Sequence, residues 1–232
     1  MQYAVKAPDI HTLTVAGREE RFPVNRVFCV GRNYAAHARE MGKDPDREPP
    51  FFFMKPAVAV VDATNPVAIP YPVKTANYHH EIELVVAIGQ GGRDIPIDQA
   101  LDHVYGYAVG LDMTRRDLQL EARDKGRPWE FGKSFAQSAP IGALYRAEDI
   151  GHLASAAITL TVNGLPRQSS DIQKLIWSVA ESIAHLSSYD ALEAGDLIMT
   201  GTPEGVNAVV AGDTLRGTVA GLGDIEVRVT SA

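Results

Sequence analysis

Two carboxylates one residue apart inside an apolar run constrain this chain more than any other feature. Glu81 and Glu83 lie within His79-His80-Glu81-Ile82-Glu83-Leu84-Val85-Val86-Ala87-Ile88. The run is rich in β-branched residues and ends at Gly89, Gly91 and Gly92, which predicts a buried strand. Side chains at i and i+2 of a strand share a face, so both acids project together. Like charges held side by side away from water repel each other. They are tolerated only if one is protonated or a cation lies between them. A second apolar run, Val104–Leu111, ends in Asp112. Three carboxylates from two strands, with no cysteine cluster, describe an oxygen-rich site for a hard cation such as Mg²⁺. The same spacing also suits an edge strand with both acids in water, so spacing alone leaves the choice open.

At 232 residues the chain can bury a substantial core in one large or two small domains. A net charge of −7 argues against nucleic acid or an anionic membrane as the main partner. The single cysteine, Cys29, excludes an intrachain disulfide framework and fits a reducing cytoplasm; its place on a strand reads as a small buried residue. No apolar stretch is long enough to span a bilayer, and the first residues lack a basic region and an apolar signal core. The expectation is a cytoplasmic protein.

The chain contains no internal repeat or low-complexity tract. Residues 1–25 read as a short lead-in, and residues 26–232 as one catalytic domain. Strands are expected at Arg26–Val30 and from Phe51 to Val61; a helical segment is expected from Tyr34 to Met41, followed by an exposed loop over 43–50. Thr114–Lys125 is charged and helix-favouring. Ile158–Val162 alternates, and Asn163-Gly164 marks a two-residue hairpin. Apolar residues from Ile172 to Leu186 recur at helical spacing, predicting an amphipathic helix over Ile172–Tyr189. Short glycine-divided strands follow from Asp196. Such a pattern predicts an α+β fold with a β-dominated core and a few short helices.

His37 and Glu40 stand three apart in the helical segment and would share a face, where the carboxylate raises and orients the imidazole for taking a proton from water. The same pair also serves as a surface hydrogen bond. Lys133, in the aromatic setting Trp129-Glu130-Phe131-Gly132-Lys133-Ser134-Phe135, suits developing negative charge on an oxygen, or a snorkelling surface position. Arg116 and Gln119 could face a substrate carboxylate, or lie on the solvated side of a charged helix. Thr200-Gly201-Thr202-Pro203 is a hydroxyl-bearing turn able to offer N–H and O–H groups to an anion. Ser169-Ser170-Asp171, after Arg167-Gln168, reads as a polar turn without an assignable role. No dinucleotide fingerprint, P-loop or serine-hydrolase elbow occurs, and His79 and His80 lack a zinc-type His-Glu-x-x-His helix.

Seven segments, in this order, resemble the fumarylacetoacetate hydrolase family: Gly31-Arg32-Asn33-Tyr34-Ala35-Ala36-His37, Phe53-Met54-Lys55-Pro56, His80-Glu81-Ile82-Glu83-Leu84, Gly106–Thr114, Gly132-Lys133-Ser134-Phe135, Val162-Asn163-Gly164 and Gly201–Val206. The resemblance covers about residues 26 to 229 and lies nearest the compact acylpyruvate hydrolases. It implies a mixed β-roll, a homodimer, and Mg²⁺ or Mn²⁺ held by Glu81, Glu83 and Asp112. It implies a water-activating dyad of His37 and Glu40, Lys133 as oxyanion or enolate stabiliser, and Arg32, Arg116, Gln119 and Thr202 as substrate contacts. The implied substrate is a 2,4-diketo acid, foremost fumarylpyruvate, split into fumarate and pyruvate during aromatic-compound breakdown by way of gentisate.

Elementary chemistry agrees with that class. The carboxylate and 2-oxo oxygen of such an acid chelate a divalent ion, attack of water at C4 breaks the C3–C4 bond, and pyruvate leaves as a stabilised enolate. Decarboxylation of oxaloacetate and isomerisation or tautomerisation of a 2-oxo-dienoate draw on the same chelate and stand as alternatives. A metal-dependent binding protein without turnover would have no need of His37, Glu40 and Lys133 together.

Overall fold

The computed structural model describes residues 2–36 and 48–231. His37, Glu40 and most of the expected 43–50 loop lie outside the described residues. One proline shapes the largest sheet. Instead of a single strand from Phe51 to Val61, Phe51–Lys55 and Val60–Asp62 are separate strands joined by a 3-10 turn at Ala57–Ala59. Pro56 has no N–H to give a ladder, so the run breaks there. The hydrogen-bonded path is Phe51–Lys55, Val27–Gly31, Leu197–Met199, Ile82–Ile88, Val104–Leu111, Ala139–Ile141, Val60–Asp62, with Tyr145–Arg146 paired to Val104–Leu111 off this path. The strands flanking Pro56 are thus its two ends. The link from Lys55 to Val60 spans at most about 18 Å, whereas seven flat strands would be about 29 Å across. The sheet must curl, and the expected mixed β-roll results.

Ile82–Ile88 is buried along its whole length because both of its faces are covered. Ile82, Leu84, Val86 and Ile88 pack with Ile158, Leu160, Leu215 and Ile225 of a second, five-stranded sheet. Contact there is close: a Cβ on Gly217 would meet Ile82 Cδ1 at 2.5 Å. On the opposite face Val85 and Ala87 join Val27 and Cys29. Leu13, Val15, Phe22 and Val24, from the stretch read as a lead-in, are buried in that same cluster, and Thr12–Thr14 pairs with Arg21–Pro23. The strands and helices make an α+β fold in which strands dominate.

The apolar periodicity over Ile172–Tyr189 proves to be two pieces. Ile172–Lys174 is a 3-10 turn, and the helix begins only at Val179. Ser178 caps it in a capping box with Glu181, and Trp177 N–H donates to Asn33 Oδ1 at 2.7 Å. Both pieces bury apolar residues in one core, so helical spacing persists across a break. The polar stretch after Pro166 is likewise no turn. It belongs to the strand Leu165–Asp171 of the Asn163-Gly164 hairpin, on which Gln168 is the buried residue.

Candidate active site

Glu81, Glu83 and Asp112 converge as the strand periodicity requires. Ile82–Ile88 runs antiparallel to Val104–Leu111, and Asp112 N–H donates to Glu81 O at 2.8 Å, so Asp112 is brought beside the two glutamates. One carboxylate oxygen from each of the three lies within 4.8 Å of the others, and all three residues are buried. The solvated edge strand is thereby excluded.

Three cations surround the acids. Lys133 Nζ donates to Glu81 Oε2 at 2.6 Å, Asp112 Oδ2 at 2.7 Å and Thr114 Oγ1 at 2.7 Å. Burial works against its charge, yet Asp112 and Glu81 outweigh that cost and hold its pKa above the usual lysine range. Arg116, placed by the helix Arg116–Asp124, donates to Glu81 Oε1 and Gln119 Oε1, and both Arg116 and Gln119 are buried. Charge on that helix is therefore turned inward on this side, not solvated. The third cation is Lys55, which no spacing in the sequence singles out. Its Nζ lies 2.9 Å from Asp112 Oδ1, donates to Ser138 Oγ at 2.9 Å and donates to the carbonyl of Lys133. Its signal was a lone lysine closing an aromatic strand before proline.

Glu83 differs from its neighbours. Among the described residues it has no salt bridge; Gly201 N–H donates to its Oε2 at 2.7 Å. Burial, then Asp112 and Glu81, push its carboxyl well above the usual range. Gly201 achieves its contact at φ +102°, where a Cβ would also sit 2.7 Å from Asn33 Cβ, so the turn requires glycine. Asp112 Oδ1, fully buried, is met by the Lys55 ammonium and accepts no further hydrogen bond among the described residues. Three buried carboxylates within reach of one another, one of them without an ion pair among the described residues, fit a hard divalent ion held by Glu81, Glu83 and Asp112.

The support behind the Thr202 wall is neutral. Gln168, which carries no mark in the sequence, accepts from Ile82 N–H at 3.1 Å and faces His80 Nδ1 at 2.9 Å through Oε1. Its Nε2 donates to Thr202 Oγ1 and Pro203 O, each at 2.8 Å. These partners fix the amide orientation, so His80 must carry its proton on Nδ1. Burial keeps the His80 imidazole below its usual pKa, hence neutral. The neighbouring His79 is held to about 4 by burial and by Arg116.

Arg32, Glu81, Glu83 and Asp112 line one cavity, and so do Arg116, Gln119, Lys133 and Thr202. Every candidate residue among those described therefore meets at a single place. The fumarylacetoacetate (FAA) hydrolase C-terminal family model matches residues 26–230. The chain belongs to the fumarylacetoacetate hydrolase family. Within that family it is 50% identical to a fumarylpyruvate hydrolase of Ralstonia sp over 194 residues, covering 83% of this chain and all of the relative. The crystal structure of a fumarylpyruvate hydrolase from Pseudomonas aeruginosa, in complex with Mn²⁺ and pyruvate, superposes with a TM-score of 0.96 at 58% identity over the whole of both chains. A mitochondrial oxaloacetate tautomerase of Bos taurus is 40% identical over 203 residues, covering 88% of this chain and 90% of the relative.

Proposed function

We propose that this chain is a divalent-metal-dependent hydrolase that cleaves the C3–C4 bond of an acylpyruvate, with fumarylpyruvate giving fumarate and pyruvate. The observation that carries this reading is the buried Glu81, Glu83 and Asp112 cluster, in which Glu83 has no ion pair among the described residues, set in one cavity with Arg116, Gln119 and Thr202. Identity to fumarylpyruvate hydrolases over most of the chain supports the substrate.

Mg²⁺ or Mn²⁺ held by the three carboxylates would supply Lewis acidity at the 2-oxo acid end of the substrate. The chain's own groups account for the rest. Arg116 and Gln119 bind the substrate carboxylate. Thr202 Oγ1 already accepts from Gln168 Nε2, leaving its O–H to donate to a substrate oxygen. His37, oriented by Glu40, takes a proton from the water that adds to C4. As C3–C4 breaks, its electron pair passes into the enolate of pyruvate. Lys133 stabilises that charge by exchanging one of its three acceptors for the enolate oxygen, and protonation at C3 completes the products. In the cell the enzyme would act as a cytoplasmic homodimer on the ring-cleavage products of gentisate-type aromatic breakdown.

The test is an assay of the metal-stripped protein on fumarylpyruvate and oxaloacetate, before and after addition of Mg²⁺ or Mn²⁺. Metal-dependent loss of the diketo absorbance that His37→Ala abolishes is the expected result. The tautomerase relative keeps a second reading in play: action on oxaloacetate alone, surviving His37→Ala, would sink the hydrolase and leave enol–keto or decarboxylation chemistry.

A further inference from the structure

The outer rim of the active site is cationic and aromatic. Arg32, Arg127, Phe51, Phe53 and Trp129 line a cavity of about 400 Å³. It shares Arg32, Phe53 and Trp129 with the inner cavity of about 30 Å³ over the acids, which has room for little more than an ion or a water. Among the described residues, a substrate anchored at the acids therefore finds an adjoining space for its acyl group.

The backbone and the rings both point Arg32 to a task. It sits at φ 56°, a left-handed conformation uncommon for a residue with a side chain. Its guanidinium lies 5.3 Å from the Phe51 ring centroid and 5.7 Å from that of Trp129. The two rings meet edge to face at 5.3 Å. Among the described residues neither Arg32 nor Arg127 forms a salt bridge or side-chain hydrogen bond. Glu130 also lines the cavity, and Glu48 is close enough to favour the charge of Arg32, but neither pairs with it. Burial and the nearby Arg123 hold the Arg32 pKa below its usual value, the mark of a cation short of an anion. Arg123 is itself paired with Asp124 at 2.8 Å.

We propose that this outer cavity is the subsite for a second carboxylate at the far end of the acyl group, gripped by Arg32 and Arg127. The enzyme then selects dicarboxylic acylpyruvates over monocarboxylic ones. The inference rests on the acylpyruvate reading above. A flat, conjugated acyl chain runs along Phe53 and Trp129, whose ring centroids lie 5.7 Å apart, and its terminal carboxylate meets the guanidiniums bidentately. A neutral terminus would leave both cations unpaired, and so the site discriminates against it.

Calorimetric titration of the Mn²⁺-loaded protein with fumarate and with crotonate, which has a methyl group in place of one carboxylate, tests the subsite without turnover. Fumarate should bind about tenfold or more tightly than crotonate, and Arg127→Met and Arg32→Met should each erase most of that preference. Equal binding to the wild type, or a preference that survives both substitutions, overturns the subsite. In parallel, the ratio of kcat/KM for fumarylpyruvate to that for acetylpyruvate should fall about tenfold in Arg127→Met. If both acylpyruvates are hydrolysed and this ratio does not move, the hydrolase reading stands and the subsite fails. If fumarate preference collapses in the variants but neither acylpyruvate is turned over, the subsite stands and the hydrolase reading fails.

Discussion

At the floor of the active site three carboxylates face Lys55, Lys133 and Arg116, while at its wall Gln168 and Asn33 meet only neutral groups. Every side-chain hydrogen-bonding atom of these two amides is used, although His80 Nε2 beside them has no hydrogen bond among the described residues. Asn33 Nδ2 donates to Trp177 O and Thr200 O at 2.8 Å, and its Oδ1 accepts from Trp177 N–H. The floor is not closed in this way, since Glu83 has no ion pair among the described residues and Asp112 Oδ1 meets only the Lys55 ammonium. A neutral network can position groups by itself. A charged one holds unmet interaction that a bound ion can take up, and it is correspondingly costly to leave incomplete.

The largest expected effect comes from breaking the floor. Lys55→Met leaves Asp112 without its ion-pair partner at Oδ1 and strips a donor from Ser138 and from the Lys133 carbonyl. Removing one partner of a buried pair costs roughly 3–5 kcal/mol. Chemical denaturation should show that loss; a change below about 1 kcal/mol would mean that Lys55 is not needed to balance the acids. Glu83→Gln separates the two properties of the floor. It keeps the shape and the Gly201 contact but removes a repelled charge. Metal-dependent kcat/KM should fall about a thousandfold, a loss of roughly 4 kcal/mol in the transition state. In chelator the melting temperature should not fall. A variant less stable than the wild type without metal would show that the carboxylate is structural.

The same division explains what the sequence reveals. Glu81 and Glu83 are legible because period two puts both on one face, and Asp112 because it closes the neighbouring strand. Arg116 and Gln119 can be paired by spacing, but their burial depends on Glu81, thirty-five positions earlier in the chain, which no local pattern encodes. Lys55 carries a faint mark, a lysine ending Phe51-Phe52-Phe53-Met54 before Pro56. That proline also announces the break that curls the sheet. Periodicity misleads over Ile172–Tyr189, because a turn and a helix bury apolar residues in one core. Gln168 is illegible. It stands among exposed polar residues on a strand, and only the hairpin's docking turns it inward.

Gln168 also supplies the finest probe of the wall. Its four partners are His80, Ile82 N–H, Thr202 and Pro203 O, and Leu at this position satisfies none of them. Buried groups left without partners cost about 1–3 kcal/mol, so Gln168→Leu should be less disruptive than Lys55→Met. The kinetic consequence follows from Thr202. Without the Nε2 donor, the Thr202 hydroxyl is free to rotate and to donate elsewhere, for example to Pro203 O, and its proton is no longer held for the substrate. KM should rise about tenfold, the loss of one hydrogen bond of roughly 1.4 kcal/mol, with a smaller change in kcat. Thr202→Val should raise KM by a similar factor, and in the double variant the two effects should not add, because both remove the same hydrogen bond. Fully additive effects would separate Gln168 from Thr202 and reduce the wall to packing.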